Sequence, residues 1–427
     1  MNSISYYNTQ LKELLKKALK KGALDIFVSS MLNKVLMLVA NILLVRLMEK
    51  SDFGVYSFVY NIITIVMIVS TLGLDTAMMQ FCCEKREETE KRQLERFTII
   101  AGVSANFIFS ILTACYALIF PLSIPEAKWA LVSFAFILPL TCILNYQKYI
   151  LRIRLDNRKF SLLTNISSIA YLVASVALIP LWNLGGAISG RYLGFLIPII
   201  VGAYYIKGSY KEISKSTFPS KVLIRQFVKF GLTIALTNGI SELLYYLDVY
   251  VVGIVTTDTI AIANYKSATL IPRALAMLPT MLMIFVYPYF AYNKDNHPWV
   301  RSNTLKIQAI SLPVCVLIAL PMYVFAPQLI QLLYGADYLD STISFQILVV
   351  SFVFSAVFRV IAGNILAMLG RVNANLVMGT IECVLNVVLD FVLIKYYGCV
   401  GAAFATLIVT VISALMTNGY LYYVLKK

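Results

Sequence analysis

Long apolar stretches recur along the whole chain, each near the twenty or so residues that cross a bilayer as a helix, and short polar breaks separate them. The pattern predicts twelve spans, at about 24–48, 54–79, 98–120, 129–151, 160–182, 185–206, 229–253, 260–289, 303–325, 341–368, 373–395 and 400–424. A backbone in hydrocarbon must satisfy its own hydrogen bonds, so the fold class expected is an all-α integral membrane protein. The break "RLMEKSDFG" from Arg46 reads as a short hairpin between the first two spans. Ser51 or Asp52 caps the second helix there, and Gly54 lets the pair close. Arg46 and Lys50 mark the membrane interface and are not expected to carry chemistry.

Charge orients the chain. Twenty-six Lys and Arg fall in the loops of one side, and three (Lys50, Lys128 and Lys395) in the loops of the other. The positive-inside rule then predicts that both termini are cytoplasmic. This placement accounts for the net charge of +15 without a nucleic-acid partner, in a chain 60% hydrophobic and 13% charged. The seven cysteines form no C-x-x-C pair, and His297 is the sole histidine, so no metal site and no cofactor is expected. No cleavable signal peptide is expected. Residues 11–22, "LKELLKKALKKG", set leucines on one helical face and lysines on the rest. The segment 1–22 reads as a basic amphipathic helix on an anionic leaflet, or as a solvated lead-in to the first span.

The longest inside loop, "KGSYKEISKSTFPSK" from Lys207, divides six spans from six. The expected organisation is a lobe over 23–206, a linker over 207–222 and a second lobe over 223–427. Loosely similar strings recur in order: "GVYSFVYNI" at Gly54 with "ANYKSATLI" at Ala263, and "GGA" at Gly185 with "VGAAFAT" at Val400, 215 residues apart. Two six-helix lobes in a parallel repeat form a transporter architecture, with the substrate site expected between them near the midplane.

Polar residues inside the spans then locate candidate chemistry, because a charge at the centre of a span costs roughly 2.5–3.5 kcal/mol. Ser30, Lys34 and Asn41 share a face in the first span, and Tyr60, Thr64 and Thr71 in the second. Asn238, Glu242 and Tyr245 do so in the seventh, with Asp248 at the edge, and Lys266, Thr269, Arg273 and Thr280 in the eighth. The tenth adds Ser351, Ser355 and Arg359, the eleventh Asn375, Glu382, Asn386 and Asp390, and the sixth Arg191. The first and eighth spans are purely cationic at depth. A wall carrying Lys34, Lys266 and Arg273, with Arg359 and Arg191 nearby, suits an anionic ligand such as a phosphate. Alternatively these cations pair with acids such as Glu242 and only hold helices together. Asn41, Glu242, Asp248, Glu382 and Asp390 are the polar candidates for coupling to a proton or Na⁺; equally, the acids neutralise nearby basic residues and the membrane potential alone drives an anionic cargo outward. Pro272 and Pro279 bracket Arg273 and predict a kink, either a fixed bend or a hinge.

Three motifs carry a family resemblance. "LVRLMEKSDFGVYSF" from Leu44, "FAPQLIQLLYGADYLDS" from Phe325 and "LNVVLDFVLIKYYGCVGAAFATLI" from Leu385 resemble, at the matching spans, polysaccharide flippases of the multidrug/oligosaccharidyl-lipid/polysaccharide exporter superfamily. The resemblance implies two lobes with alternating access in a bacterial cytoplasmic membrane. Its substrate would be an undecaprenyl-diphosphate-linked oligosaccharide, a repeat unit of O-antigen, capsule or exopolysaccharide. It also implies a monomer, membrane lipids as surroundings, a glycan polymerase or chain-length machinery as partner, and diphosphate contacts at Lys34, Lys266 and Arg273. Peptidoglycan-precursor flippases usually carry further spans beyond the twelfth, where this chain has "LYYVLKK". Drug antiporters of the superfamily usually show an acidic cavity, whereas the first and eighth spans here are basic. A membrane polymerase or ligase would need a sizeable outer loop with catalytic groups. The longest outer loop, "APQLIQLLYGADYLDST", has no Lys, Arg or His, so no enzyme is expected.

Overall fold

The computed structural model describes residues 23–426, and these form helices with no β-strand. The expected amphipathic segment 1–22 lies outside the described residues. In order, the helices are α1 Ala23–Leu47, α2 Lys50–Ser70, α3 Leu74–Cys83, α4 Glu88–Ile119, α5 Ala127–Ala135, α6 Ile137–Ile153, α7 Asn157–Trp182, α8 Leu184–Tyr205 and α9 Lys207–Lys215. They continue as α10 Lys221–Thr256, α11 Thr259–Leu275, α12 Met277–Tyr292, α13 His297–Val324, α14 Ala326–Leu333, α15 Thr342–Phe354, α16 Ile361–Met368 and α17 Val372–Lys426. Among the described residues, ten helical segments are long and apolar enough to cross a membrane. The chain is therefore a multi-pass membrane protein. The expected spans 373–395 and 400–424 both lie in α17, on either side of Gly398, where the backbone leaves helical geometry at φ 56°. The expected seventh span lies in α10, where the apolar stretch is Tyr246–Thr256.

Several boundaries differ from the sequence pattern. The expected span 54–79 is two helices, because α2 stops at Ser70 and the chain turns through Leu72 and Gly73 at φ 50° and 63° before α3 begins. A β-carbon on Gly73 would sit 2.1 Å from the Gly231 carbonyl oxygen. Only glycine satisfies both the positive φ and this approach to α10. The expected outer loop 326–340 is largely helical, as α14 followed by a 3-10 turn at Ala336–Ser341. The linker 207–222 likewise contains α9.

The chain divides into two compact units that are discontinuous in sequence. The first takes residues up to Ala40 with Val69–Tyr116 and Val132–Ala235, and the second takes Asn41–Ile68, Ala117–Leu131 and Leu236–Lys427. In the first unit Leu74, Met78, Leu94, Tyr146 and Phe227 form a buried core, with the Phe81 and Phe227 rings edge to face at 5.4 Å. A polar seam joins α1 to α7. Ser29 Oγ donates to the Ser161 carbonyl at 3.1 Å, and Asn33 Nδ2 donates to the Thr164 carbonyl at 3.3 Å and to the Ser168 hydroxyl. The linker is tied to the start of α4, where Arg92 pairs with Glu212, Arg96 donates to the Ser216 carbonyl, and Gln93 Nε2 bonds Thr217 Oγ1 at 2.8 Å.

In the second unit, Phe290, Val300, Ile361, Leu366 and Leu421 pack together. The hairpin 46–54 is more than an interface marker. Arg46 Nη1 donates to the Leu332 carbonyl at 2.6 Å, and Lys50 Nζ donates to the Asp337 carbonyl at 2.5 Å. The Lys50 ammonium also lies 5.2 Å from the Tyr338 ring centre, a cation–π contact. A β-carbon on Gly54 would meet the Thr259 carbonyl oxygen at 2.0 Å, so α2 and α11 touch through bare backbone. These contacts place residues 41–68 in the same unit as the second half of the chain.

The weak repeat at 215 residues has a structural counterpart within each unit. The turn into α8 passes through Asn183 at φ 44°, ψ −113°, and the turn inside α17 through Gly398 at φ 56°, ψ −137°. Three residues on, a β-carbon on Gly186 or on Gly401 would lie 2.1 Å from the carbonyl oxygen eight residues back, Leu178 or Leu393. Leucine at either glycine is therefore expected to destabilise the protein by at least ~1–3 kcal/mol, read as a lowered melting temperature in detergent. Gly185→Leu is expected to change it little, since the nearest atom to its β-carbon is 3.7 Å away.

Candidate functional site

The second unit encloses a cavity of about 150 Å³. Its first wall is a broken helix. Pro272 and Pro279 remove two backbone donors, α11 ends at Leu275, and Ala276 N bonds back to the Arg273 carbonyl at 3.2 Å before α12 resumes. Interrupted backbone at membrane depth is tolerated where it is buried in protein or lines a cavity, and Pro272, Arg273, Ala276 and Pro279 all line this one. The Arg273 guanidinium also lies over the Tyr246 ring, 4.5 Å from its centre.

The second wall is α15 and the π-helical segment Ser355–Val360 that follows it. π-Turns inside α-helices are frequent at functional sites. This one carries Arg359, whose Nη2 reaches Glu382 Oε2 at 2.5 Å while its Nε reaches Ser413 Oγ at 3.0 Å. Ser413 in turn donates to the other Glu382 oxygen. A charge buried in apolar surroundings needs such a partner and its remaining hydrogen bonds.

The third wall comes from α17. Glu382, Asn386 and Asp390 recur every four residues on its first half and are buried. Asp248 stands opposite, with its Oδ2 accepting from Tyr265 at 2.9 Å and from Thr406 at 2.8 Å, and Asn386 and Asp390 lie beside it. Oδ1 of Asp248, Oδ1 of Asn386 and both carboxylate oxygens of Asp390 are buried without a hydrogen-bond partner among the described residues. Buried polar groups in that state are exceptional. Two carboxylates, an amide oxygen and a hydroxyl form a hard oxygen donor set that fits a proton or a small hard cation.

The structure thus brings Arg273, Arg359, Asp248, Glu382 and Asn386 to one cavity, with Asp390 a turn beyond. Lys266 is half-buried on α11 and is not among the lining side chains. Asn41 is half-buried and Glu242 exposed, both in the second unit. Lys34 is exposed in the first unit. Arg191 is also there, 5% exposed, with its guanidinium 3.8 Å from the Tyr171 ring centre. The side chains of Asn238 and Tyr245 lie outside the described residues. Tyr265 and the hydroxyl stripe Thr406, Thr410, Ser413 and Thr417 were not among the residues expected at the site. The signal was there, as polar residues at helical spacing in an otherwise apolar span.

Comparison with known proteins agrees with this architecture. A family model described as "Polysaccharide biosynthesis protein" matches residues 19–294, more than half of the chain. A Shigella flexneri protein named "Putative O-antigen transporter" is 25% identical over 236 residues, and the match spans about half the length of that relative (55%) and of this chain (55%). An uncharacterized membrane protein of Methanocaldococcus jannaschii is 23% identical over 84% of this chain and 75% of its own. Among solved structures, an inward-facing multidrug resistance MATE family transporter of the MOP superfamily superposes with TM-score 0.74 at 15% identity, over 92% of this chain and 94% of that one. The lipid II flippase MurJ, in an inward closed conformation, superposes with TM-score 0.73 at 16% identity, over 94% and 87%. The fold is that of this transporter superfamily.

Proposed function

Because the chain belongs to the polysaccharide biosynthesis protein family, whose fold here is that of membrane transporters, we propose that it moves a lipid-linked oligosaccharide between leaflets. The cargo in this reading is an undecaprenyl-diphosphate-linked repeat unit, taken from the inner to the outer leaflet of a bacterial cytoplasmic membrane by alternating access. Both termini are then cytoplasmic. The observation that carries the reading is Arg273, a guanidinium on a doubly proline-broken helix that lines a cavity together with Asp248, Glu382 and Asn386 inside an apolar bundle. A planar guanidinium suits the bidentate binding of phosphate oxygens. Lys266 and Lys34, the other cations expected at the diphosphate, are not among the residues that line this cavity. No bond of the cargo is broken. The work is to bind, to exclude lipid from the headgroup, and to change access.

Asp248, Asn386 and Asp390 are the seat of a coupling cation in the same proposal, Na⁺ or a proton, because a cation there would satisfy the buried oxygens that accept no hydrogen bond among the described residues. These carboxylates also suit a cation-coupled drug exporter, and gradient-driven transport of a fluorescent cation would favour that second reading. Depleting the protein and identifying the lipid intermediate by mass spectrometry tests the first. A lipid-linked oligosaccharide is expected to accumulate. An unchanged pool of such intermediates contradicts the proposal.

A further inference from the structure

A second cavity, of about 270 Å³, lies between the end of α16 and the start of α17. It is lined by Gly363, Asn364, Ala367, Asn375 and Thr417. The two cavities share two lining residues, Arg359 and Glu382. The ion pair, braced by Ser413, thus borders both cavities. From Glu382 the polar face of α17 continues one turn to Asn386 and a further turn to Asp390, so the pair stands at the head of a line leading to the unsatisfied carboxylates. The arginine sits on the π-helical segment, whose register an ordinary α-helix would not keep.

We propose that the α16–α17 chamber is the route by which a small cation, Na⁺ or a proton, exchanges with the cytoplasm, and that Arg359–Glu382 is the partition it must cross. The inference rests on the coupling role proposed for Asp248 and Asp390. The ion therefore enters through a cavity of the second unit that Arg273 does not line. With the pair intact, the guanidinium repels a cation in the chamber. When the pair parts, Glu382 is released to receive the ion and pass it toward Asn386.

The test uses the full chain with its seven native cysteines replaced by serine and one cysteine returned at a time. Inside-out vesicles are treated with a membrane-impermeant cationic thiol reagent. Asn364→Cys is expected to react readily. Ser351→Cys, which lines the other chamber, is expected to react slowly, and several-fold faster when Arg359→Gln is added. Equal rates at Ser351→Cys with and without Arg359→Gln, or reaction of Asn364→Cys only from the opposite face, overturn the inference. Because Arg359→Gln strands a buried carboxylate and can fail to fold, a second variant pairs Arg359→Met with Glu382→Leu, a dry replacement of the kind that buried ion pairs tolerate. That variant is expected to keep Ser351→Cys protected and to lose most Na⁺- or proton-driven transport, with radioactive sodium uptake and vesicle pH separating the two ions. Ion-driven transport at the native rate in the dry variant excludes the route. If Asp390→Asn leaves ion-driven transport intact, the coupling reading falls and this inference with it. If Asp390→Asn abolishes it while the labelling or the dry variant contradicts the partition, this inference alone falls.

Discussion

Replacing Arg273 with Gln is expected to lower export of the lipid-linked glycan by roughly 30-fold or more, because losing one partner of a desolvated charge pair costs ~2–5 kcal/mol. The residue is placed for this effect by three features at once. The proline-flanked break exposes it, the Tyr246 ring holds its plane, and the cavity gives a headgroup room beside it. Arg273→Lys is expected to fall in between, since it keeps the charge and loses the planar fork. Surface glycan and the pool of lipid-linked intermediate read the effect, with membrane insertion followed by immunoblot of the membrane fraction. Native export by a well-inserted Arg273→Gln protein would remove the guanidinium from the site.

Replacing Asp390 with Asn is expected to remove the response to the driving ion. Asp390 is fully buried beside Asp248, and among the described residues neither of its oxygens accepts a hydrogen bond and Asp248 keeps one oxygen unsatisfied. A cation bound there stabilises the native protein by about 2.7 kcal/mol at a hundred times its dissociation constant. The native protein is therefore expected to melt at a higher temperature as the coupling ion is added, and Asp390→Asn to show no such rise. Asn is close to isosteric and does not carry the charge that attracts the ion, so the variant separates ion binding from packing. An identical ion-dependent rise in both proteins would place the cation elsewhere.

Much of the helical scaffold was legible in the pattern of apolar runs. The expected spans 160–182 and 185–206 correspond to Asn157–Trp182 and Leu184–Tyr205, because twenty lipid-exposed apolar residues have few alternatives to a helix. The break at Leu72–Gly73 was not legible, since it depends on the close passage of Gly231, more than 150 residues away in the chain. The acidic face of the eleventh span was visible from its spacing, and the structure adds that Glu382 belongs to an ion pair while Asp390 does not. Which of two like residues is paired depends on the register of a neighbouring helix, here shifted by the π-helical segment at Ser355–Val360. Arg46 and Lys50 show the same limit. Their partners, the carbonyls of Leu332 and Asp337, come from a segment that read as an irregular loop.

The proposed activity is the movement of a lipid-linked oligosaccharide across the bilayer. Its most direct test is a leaflet-reversal assay in proteoliposomes holding the purified protein and an undecaprenyl-diphosphate-linked repeat unit. Access of an added glycosidase or lectin to the sugar reports which leaflet holds it. Protein-dependent movement of the sugar between leaflets, lost in Arg273→Gln, is the predicted result. Sugar that stays in its original leaflet at the rate of protein-free vesicles, with the native protein folded and an imposed ion gradient present, would contradict it.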